Sequence, residues 1–144
     1  MSENQAPAPE DFNGEVIQQF RANKGTMVSG MFKGAPLLLL STRGARSGQR
    51  RVNPLVYTRD GDRYVIIASK GGGPTHPDWY HNVLANPEVT VEVGPDRFAA
   101  RAVVVEGAER DRLYAVQAAR MPNFAEYEKQ TTRRIPVVTL EPVK

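Results

Sequence analysis

The apolar positions of the chain occur in short runs separated by turn residues, a pattern typical of antiparallel β structure. Asp60-Gly61 is a strong hairpin signal between two of these runs, and Gly94-Pro95-Asp96 separates another two. Because tight hairpins join sequence neighbours, the sheet is predicted to be antiparallel, whereas a doubly wound sheet would need crossover helices. About six strands are predicted, at 36–41, 51–59, 63–69, 88–93, 97–105 and 135–140.

Helical spacing appears between and before these strands. Phe12, Val16 and Phe20 recur four residues apart and predict an amphipathic helix that ends near Gly25. Short strands with helices at the margins are typical of an α+β protein built around a small antiparallel barrel. Two further helices are predicted, at 77–85 and at 107–120, the second with Leu113, Val116 and Ala119 on one side.

The composition fits a single globular domain. The chain has 144 residues, of which 40% are hydrophobic and 24% are charged. One domain is expected over 11–144, after a flexible Ala- and Pro-rich tail at 1–10. The absence of cysteine excludes disulfides, zinc ribbons and thiol catalysis. No signal peptide or membrane-spanning run is found in the sequence, so a cytoplasmic protein is expected.

Positive charge is concentrated in one predicted loop. The net charge is only +3, but the segment 42–57 contains Arg43, Arg46, Arg50 and Arg51 and no acidic residue. Its glycines let backbone N–H groups approach an anion, and arginine forms charge-assisted, often bidentate contacts with phosphate or carboxylate. The loop is therefore a candidate anion cradle, with a basic solvated turn as the alternative.

A second glycine-rich segment follows the predicted strand 63–69. Ser69-Lys70-Gly71-Gly72-Gly73 combines a lysine with backbone amides just before a predicted helix, a combination that favours an anion. A merely flexible turn is the alternative. Since the two loops flank one hairpin, they are predicted to form two positive walls of one groove.

Several kinds of site are not predicted. His76 and His81 are the only histidines, without an HExxH pattern, so no metal site is expected. No GxSxG elbow indicates a serine hydrolase, and no GxGxxG follows a strand. No aromatic residue interrupts the segment 43–51, so no nucleic-acid partner is expected.

Two aromatic residues each allow two interpretations. Trp79, on the predicted helix 77–85, is either a core side chain or a platform for a flat ligand. Tyr127 either closes the end of the barrel or donates a proton or hydrogen bond to a substrate carbonyl.

Four stretches resemble, in order and spacing, the deazaflavin-dependent nitroreductase family of actinobacteria, whose members use coenzyme F420 and are also described as quinone reductases. They are TRGARSGQRRVNPL at 42–55, ASKGG at 68–72, PDWYHNVLANP at 77–87 and RIPVV at 134–138. The resemblance covers roughly residues 12–142. It implies a split β-barrel related to the flavin-reductase and FMN-binding barrels, in which the cofactor supplies the hydride chemistry.

The resemblance also implies a role for particular residues. Arg46, Arg51 and Lys70 would hold the cofactor's phosphate and polyglutamate tail. Ala68 and Ser69 would lie near the deazaflavin ring. In the hypothesis built on this resemblance, Ser69 is the candidate for polarising the acceptor or a ring carbonyl, and Tyr127 is the candidate proton or hydrogen-bond donor. The full set of implied cofactor-binding residues is Ala45, Arg46, Ser47, Arg51, Val52, Asn53, Pro54, Leu55, Val56, Ala68, Ser69, Lys70, Trp79, Tyr80, Asn82 and Phe124.

The substrate end departs from the family's nitroimidazole-activating members, which carry several tyrosines over the ring. Here only Tyr127 matches such a position, while Phe124 and Met121-Pro122 replace others. The resemblance therefore implies an oxidoreductase that passes hydride from reduced F420 to a small quinone, nitro or conjugated-enone acceptor. A non-catalytic carrier of F420 or of a fatty acid is the alternative.

Two further expectations concern partners. Split barrels of this kind can form homodimers, so the resemblance implies that this chain can do the same. The segment after the first helix, 24–33, combines lysines with Met27, Met31 and Phe32 and allows a peripheral contact with a membrane surface.

Overall fold

The computed structural model describes residues 9–28, 30 and 32–143, with side chains from residue 14 onward. In this part of the chain four helices accompany a seven-stranded sheet. The helices are α1 (Pro9–Ala22), α2 (Asp78–Ala85), α3 (Gly107–Arg120) and α4 (Asn123–Gln130). The strands are β1 (Leu37–Arg43), β2 (Arg50–Val56), β3 (Thr58–Asp60), β4 (Arg63–Ile67), β5 (Glu88–Val93), β6 (Asp96–Val105) and β7 (Val137–Pro142).

The sheet is antiparallel in every pairing, in the order β2-β1-β5-β6-β7-β4-β3. Its two edge strands, β2 and β3, are consecutive parts of the chain separated only by Tyr57, whose N–H donates to the Pro36 carbonyl at 3.0 Å. The single strand predicted at 51–59 is therefore two strands, and the bend between them curls the sheet into a barrel. The predicted antiparallel barrel is confirmed, with seven strands instead of six.

Strand β1 is buried on both faces, which explains its continuous run of leucines. Leu38 and Leu40 point into the main core together with Trp79 and Val83 of α2. Leu37 and Leu39 form a second cluster, on the other face, with the apolar side of α1. Helices α1 and α2 thus cover opposite faces of the strand that leads into the arginine-rich loop.

Helix α1 is fixed to the barrel by two contacts besides its apolar face. Arg21 donates two hydrogen bonds to the carboxylate of Glu92 on β5, at 3.0 and 2.7 Å. Gly25 lies so close to the β5–β6 turn that an added Cβ would stand 2.3 Å from the Cα of Gly94. The helix begins at Pro9, so the last two residues of the predicted tail are helical. Residues 1–8 of that tail lie outside the described residues.

The apolar residues predicted to allow membrane contact are largely used inside the domain. Met27 is buried against β1 and Phe32 is half-buried against the same cluster, whereas Val28, which was not among the predicted residues, is 52% exposed. Met31 lies outside the described residues. Among the residues described, no helix has the length and hydrophobicity that crossing a bilayer requires.

Helix α3 has the predicted bounds but a different buried face. Arg110, Leu113, Tyr114 and Gln117 are buried, while Ala119 of the predicted apolar side is exposed. Tyr114 donates to the Phe124 carbonyl at 2.6 Å, and its burial raises the pKa of its hydroxyl to about 12. This bond fixes the start of α4, a helix that the sequence pattern did not predict.

Candidate functional site

The loop between β1 and β2 is closed by its own hydrogen bonds. The N–H of Gly44 donates to the Gln49 carbonyl at 2.7 Å, and the Gly48 N–H donates to the Gly44 carbonyl at 3.0 Å. Gly48 adopts φ +72°, a conformation that favours glycine. The Ser47 hydroxyl accepts the Gln49 N–H at 3.1 Å. The loop therefore has a defined shape while Arg46 stays exposed.

Asn82 of α2 anchors this loop to the barrel. Its side-chain oxygen accepts the Ala45 N–H at 2.9 Å, and its amide nitrogen donates to the Thr42 hydroxyl at 3.1 Å. The side chain is 7% exposed, so both bonds lie in a largely water-free setting. The residue was predicted to contact a cofactor, and the bonds that the structure shows for it are ones that position the loop.

A groove of about 1330 Å³ lies beside this loop. It brings together seven of the predicted cofactor-binding residues with residues outside that set, among them Arg50 of the candidate anion cradle, Asp78, His81 and two positions on α1. The lining residues are Gly14, Ile17, Gly44, Ala45, Arg46, Ser47, Arg50, Arg51, Val52, Asn53, Asp78, His81 and Asn82.

The two predicted arginines of the groove are not paired with a carboxylate of any described residue. Arg46 and Arg51 form no hydrogen bond or ion pair with any residue that the structure describes. Several arginines elsewhere do pair with carboxylates, as Arg112 does with Asp60 at 3.2 Å and Arg134 with Asp111 at 2.8 Å. The free guanidinium groups of Arg46 and Arg51 make the groove suited to a phosphate or carboxylate ligand.

The second predicted loop is a tight 3-10 turn, Lys70–Gly72, at the end of β4. Lys70, Gly71 and Gly72 have φ values of 49°, 62° and 81°. Gly72 adjoins α4 so closely that a Cβ would stand 2.4 Å from the side-chain oxygen of Gln130. Lys70 is exposed, and its ammonium donates to the Thr75 hydroxyl at 3.1 Å.

Arg133, which the sequence did not indicate, holds this turn. It donates to the carbonyls of Ala68, Ser69 and Gly73, and also to Nδ1 of His76. Desolvation and the neighbouring positive charges of Arg133 and His81 lower the pKa of His76 below its ordinary value. The ring therefore stays neutral and able to accept the Arg133 bond near neutral pH.

The other predicted residues lie outside the groove lining. Ala68, Trp79 and Phe124 are buried in the core, so the packing interpretation holds for Trp79. Ser69 is 8% exposed. The Tyr127 hydroxyl accepts a hydrogen bond from Asn123 at 2.9 Å, and its ring stacks edge-on against Phe124. The remaining predicted residues, Pro54, Leu55, Val56 and Tyr80, are half-buried.

Three aromatic side chains connect the groove with the Lys70 turn. The His76 ring lies 4.9 Å from that of Tyr80 and 6.0 Å from that of His81, which lines the groove. Among the residues described, no cluster of three His, Cys, Asp or Glu side chains offers a metal site.

Comparisons with known proteins agree on one family. The family model described as F420H(2)-dependent quinone reductase matches residues 14–142. An F420H(2)-dependent quinone reductase of Mycobacterium tuberculosis is 47% identical over 108 residues, covering 73% of this chain and 72% of that protein. A solved F420-H2 dependent reductase, FDR-A, is 41% identical, with a TM-score of 0.68 over 74% of this chain and 94% of that one. Another solved structure, described as a domain-swapped dimer, is 36% identical, with a TM-score of 0.70 over 93% and 100% of the two chains.

Proposed function

The chain belongs to the F420H(2)-dependent quinone reductase family, and we propose that it reduces a quinone, nitro or conjugated-enone acceptor with F420 bound along the groove. The single observation that carries this proposal is the pair of unpaired arginines, Arg46 and Arg51, at a groove of about 1330 Å³. Reduced F420 would supply the hydride, and the protein's residues would bind and orient the two reactants.

The residues of the groove fit the chemistry of such a cofactor. Phosphate and glutamyl carboxylates need charge-assisted donors, which Arg46, Arg51 and Lys70 provide. A flat ring needs an apolar or amide-lined wall, which Val52 and Asn53 of β2 offer. Asp78, the one carboxylate in the lining, would repel an anionic tail and so favour its lying toward the arginines.

The acceptor is proposed to bind near Ser69 and α4. Ser69 lies at the end of β4, beside the Lys70 turn, and α4 packs against that turn. The Ser69 hydroxyl is the candidate for polarising a carbonyl of the acceptor, and Tyr127 is the candidate hydrogen-bond or proton donor. The Phe124 ring packs edge-on against the Tyr127 ring.

Turnover with purified protein tests the proposal. Reduced F420 is mixed with menadione, a nitroarene or an enone, and reoxidation is followed by the cofactor's visible absorbance, with a no-enzyme control. Turnover of any of these above the control is expected. Tight binding of F420 without any turnover would instead support a carrier of F420, and lipid recovered with the purified protein would support a fatty-acid carrier. Absence of F420 binding would overturn the proposed function and the F420 carrier.

Assembly and membrane contact need separate tests. The relative described as a domain-swapped dimer supports a proposal that the single domain at 11–144 can also form a homodimer, which sedimentation equilibrium would detect. Peripheral membrane contact would depend on exposed Val28 with Lys24 and Lys33. Co-sedimentation with anionic and neutral vesicles tests it, since a basic segment should prefer the anionic ones.

A further inference from the structure

We infer that Arg133 is a positioning residue for the cofactor, because its guanidinium clamps both ends of the turn that presents Ser69 and Lys70. The inference rests on the proposed function, since it assumes that this turn binds the cofactor's anionic part. It adds a residue that lies outside the groove lining and acts through hydrogen bonds to the backbone.

The bonds of Arg133 span the turn. One terminal nitrogen donates to the carbonyls of Ala68 at 3.2 Å and Ser69 at 2.8 Å, before the turn. The Nε atom donates to the Gly73 carbonyl at 3.0 Å, after it. A single planar group thus fixes the distance between the two ends, and a lysine at this position could not reproduce that geometry.

The turn needs such support because its backbone is unusual. Ser69 is right-handed helical, and Lys70, Gly71 and Gly72 that follow all have positive φ. Among the residues described, Lys70 and Lys24 are the non-glycine residues with positive φ, a backbone conformation that a side chain disfavours. A right-handed residue followed by a left-handed one turns successive N–H groups toward one side and makes an anion-binding concavity. Glycines alone would not hold this conformation.

Arg133 also connects the turn with the groove. Its second terminal nitrogen donates to Nδ1 of His76 at 2.8 Å, and the His76 ring contacts Tyr80 and His81 of α2. His81 lines the groove that the arginine loop borders. Through these contacts Arg133 connects the turn that carries Lys70 with the wall of the groove.

The charge of Arg133 is available to an anion as well. Among the residues described, it has no carboxylate partner, and the groups that accept its hydrogen bonds are neutral. Its burial lowers its pKa below the ordinary value, although a guanidinium with that starting value remains charged at neutral pH. The hydrogen bonds of Arg133 to the turn and its positive charge therefore both favour the binding of an anion there.

The neighbouring Arg134 provides a matched control. It is 61% exposed and pairs with Asp111 on α3 at 2.8 Å, away from the turn. Replacing either arginine by alanine removes one positive charge from the same part of the chain. Only the Arg133 variant removes the backbone clamp.

The test compares wild type, Arg133→Ala, Arg133→Lys and Arg134→Ala. The Kd for oxidised F420 is measured by titration of its fluorescence, and kcat and both KM values are measured with menadione. We expect Arg133→Ala to raise the Kd for oxidised F420 and the KM for reduced F420 by about tenfold or more, with a smaller fall in kcat because the same turn carries Ser69. Arg133→Lys should give an intermediate Kd, and Arg134→Ala should stay within about twofold.

A purely structural role predicts a different result. It would lower the melting temperature or the active fraction, whereas the Kd of the folded molecules would remain within about twofold of wild type, and that would overturn the inference. If Arg133→Ala does not fold, the same Kd criterion is applied to Arg133→Lys. Added guanidinium ions should lower the Kd of Arg133→Ala for F420, whereas the same concentration of sodium chloride should raise it. Failure of wild type to bind F420 would overturn the proposed function itself, so the two failures are distinguishable.

Discussion

Individual side chains of the site divide into those that are free to meet a ligand and those that hold the others in place. Arg46 and Arg51 belong to the first group, since they are exposed and unpaired within the described residues. Asn82 and Arg133 belong to the second, since their polar atoms bond to backbone and to neighbouring side chains. A substitution in each group should therefore have a different signature.

Substitution of the free arginines should weaken cofactor binding directly. A hydrogen bond to a charged group contributes about 1.5–3 kcal/mol. We therefore expect Arg46→Ala and Arg51→Ala each to raise the Kd for F420 by roughly 10- to 100-fold, with little loss of stability. Arg120→Ala, at the exposed end of α3, is the control for loss of charge. An equal loss in all three variants would contradict a specific anion site.

The hydrogen bond between Asn82 and Thr42 should be visible as an energetic coupling. Asn82→Ala and Thr42→Val each leave a buried polar group unpaired, at a cost of about 1–3 kcal/mol. In the double variant the loss from this bond is counted only once, so we expect a coupling of about 0.5–3 kcal/mol. Urea unfolding of the four proteins measures it. Strictly additive losses would mean that the two residues act independently.

Among the elements, α1 offers the clearest dependence on pH. Hydrogen bonds and charge from Arg21 lower the pKa of Glu92 below its ordinary value of 4.5. The folded state thus favours the ionised carboxylate, and the resulting stabilisation is complete above about pH 4.5 and is lost as the pH falls through the lowered pKa.

The direction of this pH dependence of stability can be tested with Glu92→Gln. We expect the variant to unfold at lower urea concentration than wild type at neutral pH, and the difference to shrink as the pH falls below 4.5. Glu88→Gln, an exposed glutamate on the same strand, is the control. A stability difference that does not change with pH would show that Glu92 contributes through packing and not through its charge.

The elements also show how far sequence reasoning reaches. Hairpins were predictable because Asp60-Gly61 and Gly94 are turn signals that act over a few residues, and the arginine loop was predictable because glycine and charge coincide there. The bend at Tyr57 has no such local signal, since it results from closing the sheet on itself. The clamp by Arg133 joins residues about sixty positions apart, so no spacing in the sequence could indicate it.

The whole molecule brings distant stretches of the chain to one groove. Loop 44–49, strand β2 and helix α2 supply its walls, and α1 borders it from the other face of β1. The net charge is only +3, yet the unpaired arginines concentrate positive potential at this place. Attraction of an anionic cofactor should therefore depend on the groove and not on the charge of the protein as a whole.

The salt dependence of KM should therefore differ between the anionic cofactor and the uncharged acceptor. At about 0.15 M salt the screening length is about 8 Å, so contacts of exposed arginines with an anion weaken steeply as salt is added. We expect the KM for reduced F420 to rise several-fold between about 0.05 and 0.5 M sodium chloride, while the KM for uncharged menadione changes little. In Arg46→Ala the rise should be shallower, because one of the screened contacts is already absent. Parallel salt dependence for both reactants, or an unchanged slope in the variant, would show that the arginine groove does not hold the cofactor's charge.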